Sequence, residues 1–123
     1  MSYLTDRKRA TGLGAAHSGT MHHWHMMVSA VALIGLIFFF VYSFGTTLGS
    51  SYEEARAVYA RPFPAIVALL TIIVGFVHYK GGVQTMIEDY VHGAAGRIAI
   101  IGTTLLSYFL MGVAAFSIIR LAL

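Results

Sequence analysis

The feature that most limits this chain is a stretch without a single charge, MMVSAVALIGLIFFFVYSFGTTL, at residues 26–48. About 20 apolar residues in helical form cross the ~30 Å hydrocarbon core of a bilayer, so a run of this length reads as a membrane span. A second run, AIVALLTIIVGFV, follows Pro62 and Pro64. Proline costs little in a first helical turn, where its missing N–H has no partner to lose. That helix is expected to cover residues 63–90, with HGAAG breaking it. A third uncharged run covers 98–119, with Arg120 at its end. The reading is all-α, with three transmembrane helices and no internal repeat.

Composition agrees. Hydrophobic residues make up 58% of the 123, charged residues only 11%, and the mean hydropathy is +0.76. A soluble domain of this size needs far more polar surface. There is room for one small domain: an anchor over 26–123, preceded by an arm at 1–25 with little structure of its own. Cysteine is absent, which excludes disulfides, thiolate zinc sites and cysteine-ligated iron–sulfur clusters on this chain. No glycine-rich nucleotide loop follows a strand, and no nucleic-acid partner is expected. The arm is polar for more than twenty residues before the first run, the wrong layout for a cleaved signal peptide. Between the first two spans, GSSYEEARAVYARPFP offers Ser51 as an N-cap with Glu54 three residues on.

Orientation follows from the basic residues. Arg7, Lys8, Arg9, Lys80 and Arg97 lie on one side, and Arg56, Arg61 and Arg120 on the other. Cytoplasmic segments carry the excess of Lys and Arg, so the N-terminus is expected in the cytosol and the C-terminus in the periplasm. Asp89 and Tyr90 then fall at the inner face.

His78 stands inside the second span. A polar side chain there is costly and tends to mark function, so a haem or ion role stands level with a packing role on position alone. Imidazole is the usual axial ligand where a helix bundle holds haem iron. With no second well-placed intramembrane histidine, bis-histidine ligation needs a partner subunit. Asp89 follows eleven residues later, three turns on and almost on the same face, ~16 Å further along. Tyr90 is its neighbour. A phenol can donate a hydrogen bond to a quinone carbonyl, and a nearby carboxylate can orient it or feed protons. The residues alone favour an interfacial belt tyrosine beside solvated acids, with Glu88 and His92 in that rim. His17, His22, His23 and His25 have no closed metal-site spacing, and an interfacial collar with Trp24 is the better reading. Gly45 and Gly49 form a Gly-x-x-x-Gly at the end of a span, a weak helix-pairing signal. The phenylalanines at 38–40 read as lipid-facing bulk.

Together HHWHMMVSAVAL, IEDYVHG and the motif His-x(10)-Asp-Tyr ending the second span resemble one family. It is that of the small hydrophobic membrane-anchor subunits, D-type, of bacterial succinate dehydrogenase (respiratory complex II), in its alphaproteobacterial branch. The resemblance covers nearly the whole chain. It implies that His78 is an axial ligand to haem b, the other coming from a sister C-type cytochrome b anchor subunit. It also implies that Tyr90 hydrogen-bonds ubiquinone, with Asp89 its acidic neighbour. Flavin and iron–sulfur clusters would reside on two soluble partners, a flavoprotein subunit and an iron–sulfur subunit. The setting would be the bacterial inner membrane, and the reaction that of the tricarboxylic acid cycle and aerobic electron transport. Many members place an arginine near the haem propionates where this chain has Met27; His22, His23 or His25 would take that contact instead. A quinol:fumarate reductase anchor is the alternative within the class. A non-redox assembly or transporter subunit is the alternative outside it.

Overall fold

The computed structural model describes residues 5–12 and 19–123. His17 lies outside them. Helix α1, Asp6–Thr11, is capped by the Thr5 side chain, which accepts the Lys8 N–H at 3.3 Å. The arm thus holds a short helix, because Thr5 supplies an acceptor and Asp6 sits at the positive end of the dipole. Three longer helices are each apolar enough to cross a membrane: α2 (Gly19–Gly45), α4 (Pro62–Tyr90) and α5 (Gly93–Ala122). At 1.5 Å per residue they run to roughly 40–45 Å, so their ends reach beyond the hydrocarbon into the headgroup layer.

Helix α2 begins seven residues ahead of its apolar run, because adding residues to an existing helix is cheap once the costly first turn has formed. It stops at Gly45, and the last residues of the run lie in a turn. There the Thr46 and Thr47 hydroxyls donate to Ser43 O and Phe44 O, each at 2.7 Å. Gly49 follows at φ +80°, and a Cβ on Gly45 or Gly49 would meet nothing within 4 Å. That pair serves the turn and meets no other helix among the described residues. The connection folds into α3, Tyr52–Tyr59, behind a complete capping box. Ser51 Oγ accepts the Glu54 N–H at 3.3 Å, and the Glu54 carboxylate accepts the Ser51 N–H at 2.8 Å. Arg56 Nη2 donates to Leu123 O at 3.2 Å, joining α3 to the end of α5. Pro62 opens α4 in its first turn.

The hydrogen bonds from Ser51 hold the Glu54 carboxyl below its usual range. A lowered carboxyl contributes its stability above the unfolded value, here 4.5, and loses it as pH falls through the folded value. The protection of the α3 amides, taken as measured exchange relative to the intrinsic rate at each pH, should therefore fall on acidification below that point, and Glu54→Gln should flatten that fall.

Helix α4 is the middle member, packed against α2 on one side and α5 on the other. Few residues are buried, among them Val67, Ala68, Gly81, Ile87, Gly96, Ser43 and Ser107. The list is short in large side chains because lipid removes the hydrophobic drive between helices. Small residues and self-satisfied hydroxyls let backbones approach instead. Ser43 Oγ donates to Phe40 O at 3.0 Å and Ser107 Oγ to Thr103 O at 2.7 Å, so neither hydroxyl is left unmet. Phe38 and Phe39 are exposed, with Phe39 set edge-on to Phe63 of α4, while Phe40 is half-buried and stacks on Phe44.

The break between α4 and α5 is confined to Val91 and His92, shorter than the sequence suggests. Two glycines make so tight a turn feasible. Gly93 takes φ +72°, and a Cβ on Gly96 would collide with the Val91 carbonyl. A backbone carbonyl cannot swing aside as a side-chain end can. Gly96→Ala should cost about 1–3 kcal/mol, read as lower resistance of the detergent-solubilised protein to denaturant. Gly102→Ala, where a Cβ meets nothing within 4 Å, should be near neutral in the same assay.

Candidate functional site

Thr71, His78 and Thr85 of the second span lie along one seam between α2 and α4. Thr71 Oγ1 lies 3.4 Å from Leu36 O, and His78 Nδ1 lies 2.8 Å from Ser29 Oγ. A Cβ on Gly81 would stand 2.5 Å from Met26 Sδ, and His22 Nε2 lies 3.3 Å from Thr85 Oγ1. Each step toward the start of α2 matches a step toward the end of α4. The two helices are thus antiparallel in a single register, held where small or hydroxyl side chains meet.

His78 and His22 each meet a hydroxyl that also reaches a carbonyl of its own helix. The Ser29 hydroxyl stands 3.0 Å from Met26 O and 2.8 Å from His78 Nδ1; with its one proton on Met26 O, its oxygen is able to accept Nδ1–H from His78. Nε2 of His78 then keeps its lone pair, and it has no hydrogen-bond partner among the described residues. Thr85 Oγ1 likewise lies 3.1 Å from Gly81 O and 3.3 Å from His22 Nε2. A cavity of about 300 Å³ opens along this seam, lined in part by His22, His25, Ser29, Lys80 and Gly81. A second, of about 440 Å³, adjoins it toward the end of α4, where Gln84 donates to Glu88 at 2.9 Å. Lys80 reaches the other way, its ammonium 5.5 Å from the Tyr108 ring centre and 3.5 Å from the phenol oxygen.

Among the sequence-predicted residues, His78, His22 and His25 come together at this seam. His23 and Trp24 are exposed. Asp89 and Tyr90 close α4 and are exposed, Tyr90 to 81%, with no hydrogen bond to either side chain among the described residues. Glu88 and His92 are exposed beside them. Asp89 shares a helix face with His78, ~16 Å away, so the two stand at different depths of one rod. Sequence reading passed over Ser29, Thr85 and Lys80. A hydroxyl in an apolar run was the available signal for Ser29, but nothing in spacing tells which face of α4 it meets.

Among the described residues no cluster of three or more His, Cys, Asp or Glu side chains could hold a metal ion. An axial haem ligand asks for something else: one half-buried imidazole, fixed at Nδ1, with Nε2 unpartnered. His78 fits that donor chemistry.

Residues 1–119 match the family model described as succinate dehydrogenase/fumarate reductase transmembrane subunit. The chain is 42% identical over 123 residues to a succinate dehydrogenase hydrophobic membrane anchor subunit of Paracoccus denitrificans, covering 100% of this chain and 95% of that one. It is 28% identical over 87 residues to a succinate dehydrogenase membrane anchor subunit of Reclinomonas americana, covering 68% of this chain and 72% of that one. No solved structure gives a significant match.

Proposed function

The chain belongs to the succinate dehydrogenase/fumarate reductase transmembrane subunit family, and from that premise we propose that it holds a haem b in the bilayer and helps to form a ubiquinone-reduction site. As a multi-pass membrane anchor subunit of succinate dehydrogenase, it serves an oxidoreductase complex whose dehydrogenase chemistry belongs to other subunits. Those partners are the flavoprotein and iron–sulfur subunits on the inner face, and a C-type cytochrome b anchor that supplies the second axial ligand. The membrane is the bacterial inner membrane. Both named relatives are succinate dehydrogenase subunits, which favours that direction over quinol:fumarate reductase.

The observation that carries the reading is His78, a fixed imidazole with an unpartnered Nε2 midway along a membrane helix. His78 would hold the iron through Nε2. His22, His25 and Lys80, around the adjoining cavity, are the groups of this chain able to meet propionate carboxylates. When bound, the haem supplies one-electron redox chemistry inside the bilayer. At the inner end of α4 the Tyr90 phenol donates to a quinone oxygen, and Asp89 orients the head group or supplies protons. Two electrons and two protons convert ubiquinone to ubiquinol. A reduced-minus-oxidised spectrum of the purified complex tests the reading. A b-type band is expected; its absence would leave an anchor without haem.

The same reading fixes topology. The arm and the α4–α5 turn, with Arg97 just beyond it, face the cytosol, while Lys80 lies inside α4 rather than in a loop. Reporters fused at the two ends should give opposite signals, and a cytosolic signal at Leu123 would overturn the orientation.

A further inference from the structure

We infer that Ser29 is the positioning residue of His78: its oxygen accepts Nδ1–H, selecting the tautomer that offers Nε2 to iron and raising the donor strength of the ring. The inference rests on the haem reading above. Several hydroxyls of the spans bond back to their own helix, among them Ser43, Thr103, Ser107 and Ser117. Ser29 does so too, to Met26 O, and is thereby satisfied as a donor without help from α4. Its oxygen nevertheless lies 2.8 Å from an imidazole nitrogen 49 positions away. With Nε2 left to the iron, Nδ1 carries the ring proton, so the contact has one polarity: the ring donates and the serine proton turns to Met26 O. The opposite tautomer would turn the serine proton from Met26 O onto Nδ1 and put the ring proton on Nε2, where no metal could bind. The α2–α4 register that brings Met26 against Gly81 also brings Ser29 to His78, so the acceptor is built into the helix crossing.

An acceptor on the far nitrogen makes a ligating imidazole more basic, and such partners matter about ten- to a hundredfold in metal affinity. A more basic ring favours ferric over ferrous iron. Loss of the acceptor by Ser29→Ala should weaken that preference about tenfold, raising the haem midpoint by ~59 mV for one electron. Ser29→Thr keeps a hydroxyl that can bond back to the helix and should titrate as wild type. The test is a redox titration of the haem band in the purified, membrane-assembled complex for wild type and both variants. A positive shift in the alanine variant alone supports the proposal. So does loss of haem in the alanine variant with a wild-type midpoint in the threonine variant. An unchanged or negative shift in Ser29→Ala overturns it, as do equal shifts or haem loss in both variants, which would mark Ser29 as packing. A wild-type complex without haem overturns the assignment of His78 itself, and the present inference with it.

Discussion

Replacing His78 by leucine should remove the low-spin b-type spectrum from the assembled complex rather than shift it. Leucine cannot ligate iron, so on the proposed reading the ligand that this chain would supply is lost outright. The substitution is gentle in every other respect. Leucine is among the better helix formers and leaves no charge or unmet donor in the span. Ser29 keeps its own bond to Met26 O, so the seam retains its remaining contacts. The spectrum is therefore the measurement, taken on complex whose subunit content is shown to be intact. An unchanged band and midpoint would refute His78 as a ligand. Turnover is a poorer readout, because a direct route from an iron–sulfur cluster to quinone would leave it unchanged.

Tyr90→Phe should slow quinone reduction by roughly ten- to a hundredfold. Tyr90 ends α4 at 81% exposure, so among the described residues little covers the face on which a head group would sit. A hydrogen bond to an acceptor that gains negative charge is worth ~1.5–3 kcal/mol, and each 1.4 kcal/mol is a decade in rate. The full factor appears if the bond strengthens mainly in the transition state. Asp89→Asn should cost as much or less, because it acts through orientation or proton supply. Succinate oxidation with an artificial acceptor that draws on the soluble subunits should be spared by both. The ratio of quinone-linked to artificial-acceptor turnover checks this, and a wild-type ratio in Tyr90→Phe would reduce Tyr90 to a belt residue.

Much of the fold was legible because hydropathy over ~20 residues answers to bilayer thickness alone. The three spans and the prolines opening α4 were read from pattern, and so was the capping box at Ser51 and Glu54, which is local chemistry. Helix ends were read less well. The stretch from Gly19 to His25 is polar and aromatic rather than apolar, yet it continues α2, since an interfacial helix needs no lipid-compatible side chains. Likewise HGAAG looks like a break but is mostly the first turn of α5, because only Val91 and His92 leave the helix. At the site, His78 stood out as a polar residue in a costly place. Its partner did not. Pairing Ser29 with His78, or His22 with Thr85, depends on the α2–α4 register, and that is set by where Gly81 admits Met26 rather than by any periodicity. The central position of α4 was equally invisible, since three apolar rods of similar length can stack in any order.

The unbroken course of α4 from Pro62 to Tyr90 makes it a ruler. Between His78 and Asp89 there is no loop to absorb a change of length. One inserted residue would advance everything beyond it by ~1.5 Å and turn it by about 100°. Asp89 would leave the face it shares with His78, and Tyr90 would point to a different neighbour. An insertion elsewhere, in the polar stretch before α3 for example, would be taken up by a turn. The segment 78–90 is therefore open to drift by replacement but closed to insertions and deletions, and its length should be the most constant count along the chain.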